Sequence, residues 1–526
     1  MIPTLGRVIL NGASRHRLSK GFIIVSDSFS PIDASVRDRI IQTANQALTA
    51  SGFVVESRLS HDSLIGLTTP FLPVYDVLQR DNFIKQLAKA TSTLMQAARY
   101  SGNYRLIAAG VNPFVADSNN QVPALCADLH QIEVFDDGEI ERIYNLFRQF
   151  LPELLAISTH SAVYGGTIQK DFSWRMRVNP ASFLPRYLSQ FSTENLDKLR
   201  NMMRKDYGLT DLQQMDVNPL AGDSKKLTEN NVSLLSSNPA AAELRFVDSQ
   251  SAYPFIRTQI ILFQAIAMYG RSLARAGKRL PYMRDEVIDE NKALAVQDGP
   301  GAILKPDEKF KKDKGRPGLS FHDEGNPERA TTALLITLDR LLLPYLRELG
   351  CQYSELAPII LGAELRQAKR KCYANYAEYQ KSLYYKYSSQ FAAVFQQQTE
   401  QLLNSSELDY VTDFNQHQYP ELAKEIEQKW NDKLQGRSRQ KPAVKKVNKV
   451  NKANLQTRPH GEVKYFYPEM YYGLIALPDG SEIFFHQNDL IGISELQEKQ
   501  RVCFDIEQTD RGAKAVRIRL IDKQSN

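Results

Sequence analysis

Cysteine is scarce in this chain. Only Cys126, Cys351, Cys372 and Cys503 occur, and no two form a Cys-x-x-Cys pair. A thiolate zinc site therefore has no support, because such sites need clustered ligands. The spacing fits buried free thiols in a reducing cytoplasm, which is the expected location. Long apolar runs are also absent: none reaches the roughly 18 residues that a membrane-spanning helix requires. The N-terminal Met-Ile-Pro-Thr-Leu-Gly-Arg lacks the charged-then-apolar profile of a signal peptide. The eight histidines are scattered without a His-Glu-x-x-His motif. The Gly- and Lys-rich stretch 298–318 contains no Gly-x-x-x-x-Gly-Lys-Ser/Thr phosphate loop.

What is present fits a folded chain of several domains. The 526 residues suffice for two to four units at roughly 100–200 residues each. The 42% hydrophobic and 24% charged fractions suit a chain that buries a core. The net charge of +6 is unevenly placed. Between Lys433 and His460 lie nine basic side chains and no acidic ones, and their loss would turn +6 into −3. This stretch also lacks aromatics, so 433–459 reads as a flexible basic linker. It is either a plain solvated tether or a source of salt-dependent attraction to phosphates.

Before the linker, strand-like runs occur at 21–26, 53–57, 104–109 and 243–247. Helical spacing marks 36–50, 83–100, 138–158 and 253–276, with Pro152 as a possible kink site in the third. The segment 298–318 reads as a mobile loop. From 328 to 430 the pattern is nearly all helical. One helix there carries Tyr373, Tyr376, Tyr379, Tyr384, Tyr387 and Phe391 along one face, as in helix-pair packing.

After the linker the texture changes to short strands at 461–466, 472–477, 482–486, 501–508 and 513–522. A Pro-Asp-Gly turn at 478–480 joins two of them. Five short strands predict a small closed barrel. Lys464, Tyr465, Phe466, Tyr472, Phe484, Phe485 and His486 interleave aromatic and basic side chains, and strand alternation puts about half on one surface. Adjacent aromatics on a curved sheet can stack unpaired bases, at roughly 1–3 kcal/mol per base.

The segments GEVKYFYPEMYYGLI, EIFFHQNDL and QRVCFDIEQTDRGAKAVRIRLI, in that order, resemble a cold-shock domain over about 460–523. The resemblance implies an oligonucleotide-binding barrel for single-stranded RNA or DNA. It puts Tyr465 at the stacking tryptophan, Tyr472 and Phe484 at platform positions, His486 at the platform histidine and Lys464 on phosphate. Met470 and Tyr471 replace the usual Lys-Gly, and Leu474 and Gln487 replace aromatics, so the implied stacking surface is thinned.

A second resemblance spans about 100–350. AAGVNPF, CADLHQIEVFDD, LFRQFLPELLAISTHSAVYGG, AELRFVDSQ and NKALAVQDGPGAIL look, in order, like segments of carboxylate–amine ligases of the glutamate–cysteine ligase type. That likeness implies an α+β, glutamine-synthetase-like fold over 1–327, a helical extension at 328–432 and the barrel at 460–526. It also implies ATP and Mg²⁺ as cofactors, an amino-acid substrate, and attack of an amine on an acyl phosphate. Glu243 and Arg245 stand at the family's Glu-x-Arg pair, with Glu243 also a metal ligand. His130 matches a metal-ligand histidine, and Arg175 a group holding a carboxylate or phosphate. Two residues apart on a strand share a face, so Glu243 and Arg245 either reach one site together or close a same-face salt bridge. The family's Gly-x-Glu-x-Glu strand has no counterpart, since the candidates read GRVILN and GFIIVSDS. The second acidic strand reads HDSLIGLTTP, leaving Asp27 and Asp62 as the nearby acids. Two functions follow: a nucleic-acid-binding protein with a degenerate ligase domain, or an active ATP-dependent glutamate–amine ligase whose barrel localises or regulates it.

Overall fold

The computed structural model describes residues 13–58, 61–116, 123–179, 198, 201, 204–205, 216–221, 239–280, 283–307, 325–436, 459–467, 472–486, 489–490, 496–509 and 512–520. The basic stretch 437–458 and most of the expected loop, 308–318, lie outside them. The chain divides into two compact units, 1–438 and 439–526. The expected boundary at 327/328 falls inside the first.

The first unit is built on an antiparallel sheet. Its strands are β1 (His16–Val25), β2 (Val54–Ser57), β3 (Leu64–Thr68), β4 (Arg105–Ile107) and β5 (Leu129–Glu133). After the small hairpin β6 (Val163–Tyr164) and β7 (Thr167–Ile168) come β8 (Val217–Ala221) and β9 (Ala241–Leu244). The order is β2-β3-β1-β5-β9-β8, with β4 also on β1. A separate pair joins β10 (Ile303–Leu304) to β11 (Glu328–Arg329). Strand β1 begins five residues before the expected 21–26. Its first half carries polar His16, Arg17, Ser19 and Lys20, which conceal the strand although His16 and Lys20 are fully buried.

Alternation along β1 divides two environments. Leu18, Phe22 and Ile24 pack with Ile65 and Leu67 against α1 (Ala34–Leu48), α2 (Val77–Tyr100) and the start of α4 (Tyr253–Arg275). Aspartates 33, 76 and 136 cap α1, α2 and α3 (Asp137–Ser158), each accepting a first-turn amide. Helix α3 continues through Pro152 and lies in the core between sheet and helices. Ile23, Val25 and Leu64, on the other face of the sheet, are covered by Leu383, Phe391 and Phe395.

The helical part contains α5 (Tyr353–Gln367), α6 (Tyr376–Tyr387), α7 (Phe391–Asn404), α8 (Tyr410–Gln418) and α9 (Pro420–Leu434). The tyrosine stripe is split between α6 and α7. A turn at Ser388–Gln390 intervenes, with Ser388 at φ 43°, and Tyr373 precedes α6. Among the described residues no helix is long and apolar enough to cross a membrane.

Two buried aspartates tie the sheet to its loops. Asp128 accepts the Gly21 and Gln250 amides at 2.9 and 3.0 Å and faces Lys20 Nζ at 3.6 Å. Asp248 accepts the His160 amide at 2.7 Å, Ser161 Oγ at 2.7 Å and Arg175 Nε at 2.6 Å.

The second unit is a closed barrel of β12 (His460–Tyr467), β13 (Tyr472–Ala476), β14 (Glu482–His486), β15 (Arg501–Thr509) and β16 (Gly512–Leu520). Its interior is filled by Val463, Ile475, Ile483, Phe485, Phe504 and Ile518. All five expected strands are present, within one or two residues at each end.

Glu153 on α3 is a buried carboxyl with neither oxygen hydrogen-bonded. Burial pushes its pKa up from 4.5 to about 8. The unfolded chain ionises this group near 4.5 and the folded chain near 8, so the stability of the neutral form is lost as pH rises between those values. The loss is on the order of 3–5 kcal/mol. Glu153→Gln should flatten this slope and raise the melting temperature at pH 8 far more than at pH 5. Parallel pH profiles for the two proteins would refute the assignment.

Candidate functional site

The outer surface of the barrel is organised by one extra residue. Val463 pairs with Ile475, but Tyr465, not Lys464, pairs with Leu474, so β12 bulges between them. The bulge changes the alternation. Val463 and Phe466 turn inward to the core cluster, while Lys464 is exposed and Tyr465 half-buried. Register then places Tyr465, Leu474 and Phe484 in one row across three strands, extended by Lys514 on β16. Phe484 is 41% exposed, a large value for phenylalanine on a closed barrel. A second row, two residues along, contains Tyr467, Tyr472 and His486. The positions expected to stack bases therefore form a two-row grid, with Leu474 at the centre of the first row.

Beneath this grid, Phe466 and Phe485 stack at 5.7 Å across Gly473. A Cβ at position 473 would lie 2.5 Å from the Phe485 ring, so only glycine fits between them. Lys464 forms an ion pair with Glu482, which raises its pKa. Lys514 pairs with Asp489 at 2.7 Å. Both cations are thus held at the rim of the grid by acids that an incoming phosphate would displace. Tyr467 and Lys514 were missed by sequence reasoning. Counting two residues on from Tyr465 would have found the first. Lys514 enters only through the parallel pairing of β14 with β16. Met470, Tyr471 and Gln487 lie outside the described residues.

In the first unit, the open part of the sheet face carries a polar cavity of about 120 Å³, lined by Arg17, Ser19, Glu56, Thr68, Gln131 and Glu243 among others. Glu243 is 4% exposed. One of its oxygens accepts Arg245 Nε and the other Gln131 Nε2, both at 2.6 Å. The Glu-x-Arg pair is thus a same-face salt bridge. The expected strand 243–247 ends at Leu244, leaving Arg245 just beyond β9.

His130 and Glu243 are not brought together. His130 pairs with Leu244 and Gln131 with Glu243, so register places His130 and Glu243 on opposite faces. The His130 ring lies in the core, 3.0 Å from His16 Nε2 and edge-on to Phe263. Burial lowers its pKa to about 3, so the imidazole is neutral. Arg175 is neither a surface side chain nor open to a ligand through its described donors. It is 3% exposed, with Nε on Asp248 and Nη2 on the Phe246 carbonyl at 2.6 Å. Asp27 and Asp62 pair with Arg105 and Arg37.

Magnesium needs several hard oxygen ligands arranged around one point. Here β1 presents Arg17, Ser19 and Gly21 to the polar face, opposite Gly66 and Thr68 on β3. The Arg58 guanidinium lies over the two glycines, with Nη2 donating to the Ser19 carbonyl at 2.8 Å. A Cβ at Gly21 would come within 2.8 Å of Arg58 Nη1. Among the described residues no group of three His, Cys, Asp or Glu side chains could hold a metal ion. A cation already sits where metal ligands would be needed, and the carboxylate beside it is neutralised. The donor set does not fit a magnesium–nucleotide complex. No sequence motif flagged Arg58.

A family model described as "'Cold-shock' DNA-binding domain" matches residues 459–521. Cold shock protein 1 of Lactiplantibacillus plantarum is 40% identical over 63 residues, covering 11% of this chain and 92% of its own length. The probable cold shock protein A of Mycolicibacterium smegmatis is 38% identical over 66 residues, covering 12% of this chain and 98% of its own length. Among solved structures, a bifunctional glutathione synthetase from Pasteurella multocida aligns with 93% of this chain at a TM-score of 0.43 and 11% identity. The chain spans 61% of that protein's length. A complex of the prokaryotic ubiquitin-like protein Pup with its ligase PafA aligns with 79% of this chain and 72% of the other at a TM-score of 0.30 and 9% identity.

The glycine under the aromatic stack gives a direct test of the barrel. Gly473→Val should destabilise it by about 1–3 kcal/mol through overpacking against Phe485. Amide spectra of the full chain should show barrel resonances lost or broadened first on warming. An unchanged barrel melting point would show that the stack does not depend on this position.

Proposed function

Through its C-terminal segment the chain belongs to the cold-shock domain family, and we propose on that footing that it binds single-stranded RNA or DNA on the outer grid of the barrel. The observation that carries this reading is the row Tyr465–Leu474–Phe484, flanked by the row Tyr467–Tyr472–His486. Unpaired bases stack on such aromatics, and Lys464 and Lys514 stand beside them for phosphates. Leucine at the centre removes one platform, so binding is weaker than on a full aromatic surface. The basic stretch between Lys433 and His460 adds a contribution that falls with salt. Changing Tyr472 and Phe484 together to alanine should cost about 2–6 kcal/mol of binding to a single-stranded oligonucleotide. Fluorescence anisotropy with labelled single strands tests this, and unchanged affinity refutes the grid.

The first unit we read as a ligase-like fold that no longer carries out phosphoryl chemistry. Support comes from the sheet face, where Arg58 covers Gly21 and Gly66 and Glu243 is paired with Arg245 and Gln131. Phosphoryl transfer requires cations that neutralise phosphate charge, and a metal-ligand set on this face is lacking. Purified protein should release no ADP with Mg²⁺ and any of a panel of amino acids and amines. Calorimetry should likewise detect no magnesium-dependent ATP binding. Amino-acid-dependent ADP release would restore the active glutamate–amine ligase reading.

A further inference from the structure

Helices α5, α8 and α9, with the first turn of α4, enclose a cleft of about 230 Å³ far along the chain from the polar sheet residues. Four carboxylates line it: Glu407, Asp409, Asp413 and Glu427. Asp409 is occupied as the cap of α8, accepting Tyr376 Oη at 2.8 Å and Thr412 Oγ1 at 2.6 Å. The cleft's one guanidinium, Arg257, pairs with Asp81 at 2.9 Å. Glu407, Asp413 and Glu427 have no lysine or arginine ion-pair partner among the described residues. This unit otherwise pairs even exposed acids, such as Asp62 with Arg37 and Asp339 with Lys433.

An independent observation comes from Tyr353, which lines the same cleft. Its side chain is almost fully buried, at 3% exposure, yet its hydroxyl has no hydrogen-bond partner among the described residues. Burial and the charges of Glu427 and Glu364 raise its pKa, which locates the hydroxyl on the Glu427 side and keeps it protonated. Burial likewise raises the pKa of Asp413, as for a carboxylate lacking a counter-charge. A buried hydroxyl without a partner costs roughly 1–3 kcal/mol unless something polar reaches it.

The kind of ligand follows from the spacing. No three acidic or histidine side chains among the described residues are close enough to share a metal ion. The carboxylates are therefore suited to separate positive charges on one molecule. Pro254, Ala357 and Pro358 give the wall an apolar component that matches methylene groups. A concave acidic wall also concentrates the field that draws in a cation. We propose that this cleft binds a small aliphatic polyamine, with ammonium groups against Asp413 and Glu427 and a hydrogen bond to the Tyr353 hydroxyl.

The test is calorimetry on the full chain, treated with nuclease and washed in high salt so that no nucleic acid carries the amine. Spermidine should bind saturably at one site per chain, and putrescine more weakly. Asp413→Asn combined with Glu427→Gln should weaken spermidine at least tenfold, and Tyr353→Phe several-fold. MgCl₂ at equal charge should not displace it. The proposal falls if spermidine gives no saturable heat, if the double variant binds as before, or if MgCl₂ competes equally. Should the double variant misfold by circular dichroism, Glu427→Lys on the exposed wall replaces it, and unchanged binding there overturns the proposal.

Discussion

A carboxylate removed from water must be surrounded by donors, and Asp248 shows how far that requirement shapes the first unit. Its oxygens collect Arg175, Ser161, Ser173 and the amide of His160. These groups come from the end of α3, from the short helix near residue 175 and from the segment after β9. Removing any one donor leaves buried charge poorly compensated, which is far costlier than loss of a surface ion pair. Asp128 acts likewise with Lys20 and the backbone of Gly21 and Gln250. The central strand and the loop after β9 are thus held in place by charges as well as by apolar packing. Residues with the chemistry of an active site have become part of the frame.

That shift explains where the sequence was legible and where it was not. Helices α1 to α4 and the five barrel strands follow local periodicities, and local periodicity is visible in one chain. The first half of β1 was hidden because His16 and Lys20 are buried through partners far away in sequence. β8 was not seen at all. The fate of His130 depended on pairing between β5 and β9, which no local pattern reveals. Moving that register by one residue would exchange the faces and bring His130 to the side of Glu243. The bulge at Lys464 is similar: one extra residue sets the sides of Tyr465 and Phe466, yet it leaves no composition signal.

The two units divide the charge between them. Most of the basic excess lies in the stretch leading to the barrel, while the longer first unit pairs its acids internally. On the barrel, Glu482 and Asp489 hold the two lysines beside the aromatic grid. Such exposed pairs contribute little to stability and are readily exchanged for phosphate. Aromatic area and exchangeable cations therefore occupy one side of a small rigid scaffold.

Gly21 bears on the history that sequences with this sheet can have. A side chain there would meet Arg58, Cys126 Sγ and the Ala127 carbonyl at once. No single substitution can therefore put a carboxylate at the centre of this face. Arg58 would have to leave first, and its loss would unseat the Ser19 and Ala127 carbonyls that it holds. The route back to a metal-binding sheet passes through damaged intermediates, so the present arrangement acts as a ratchet in sequence space.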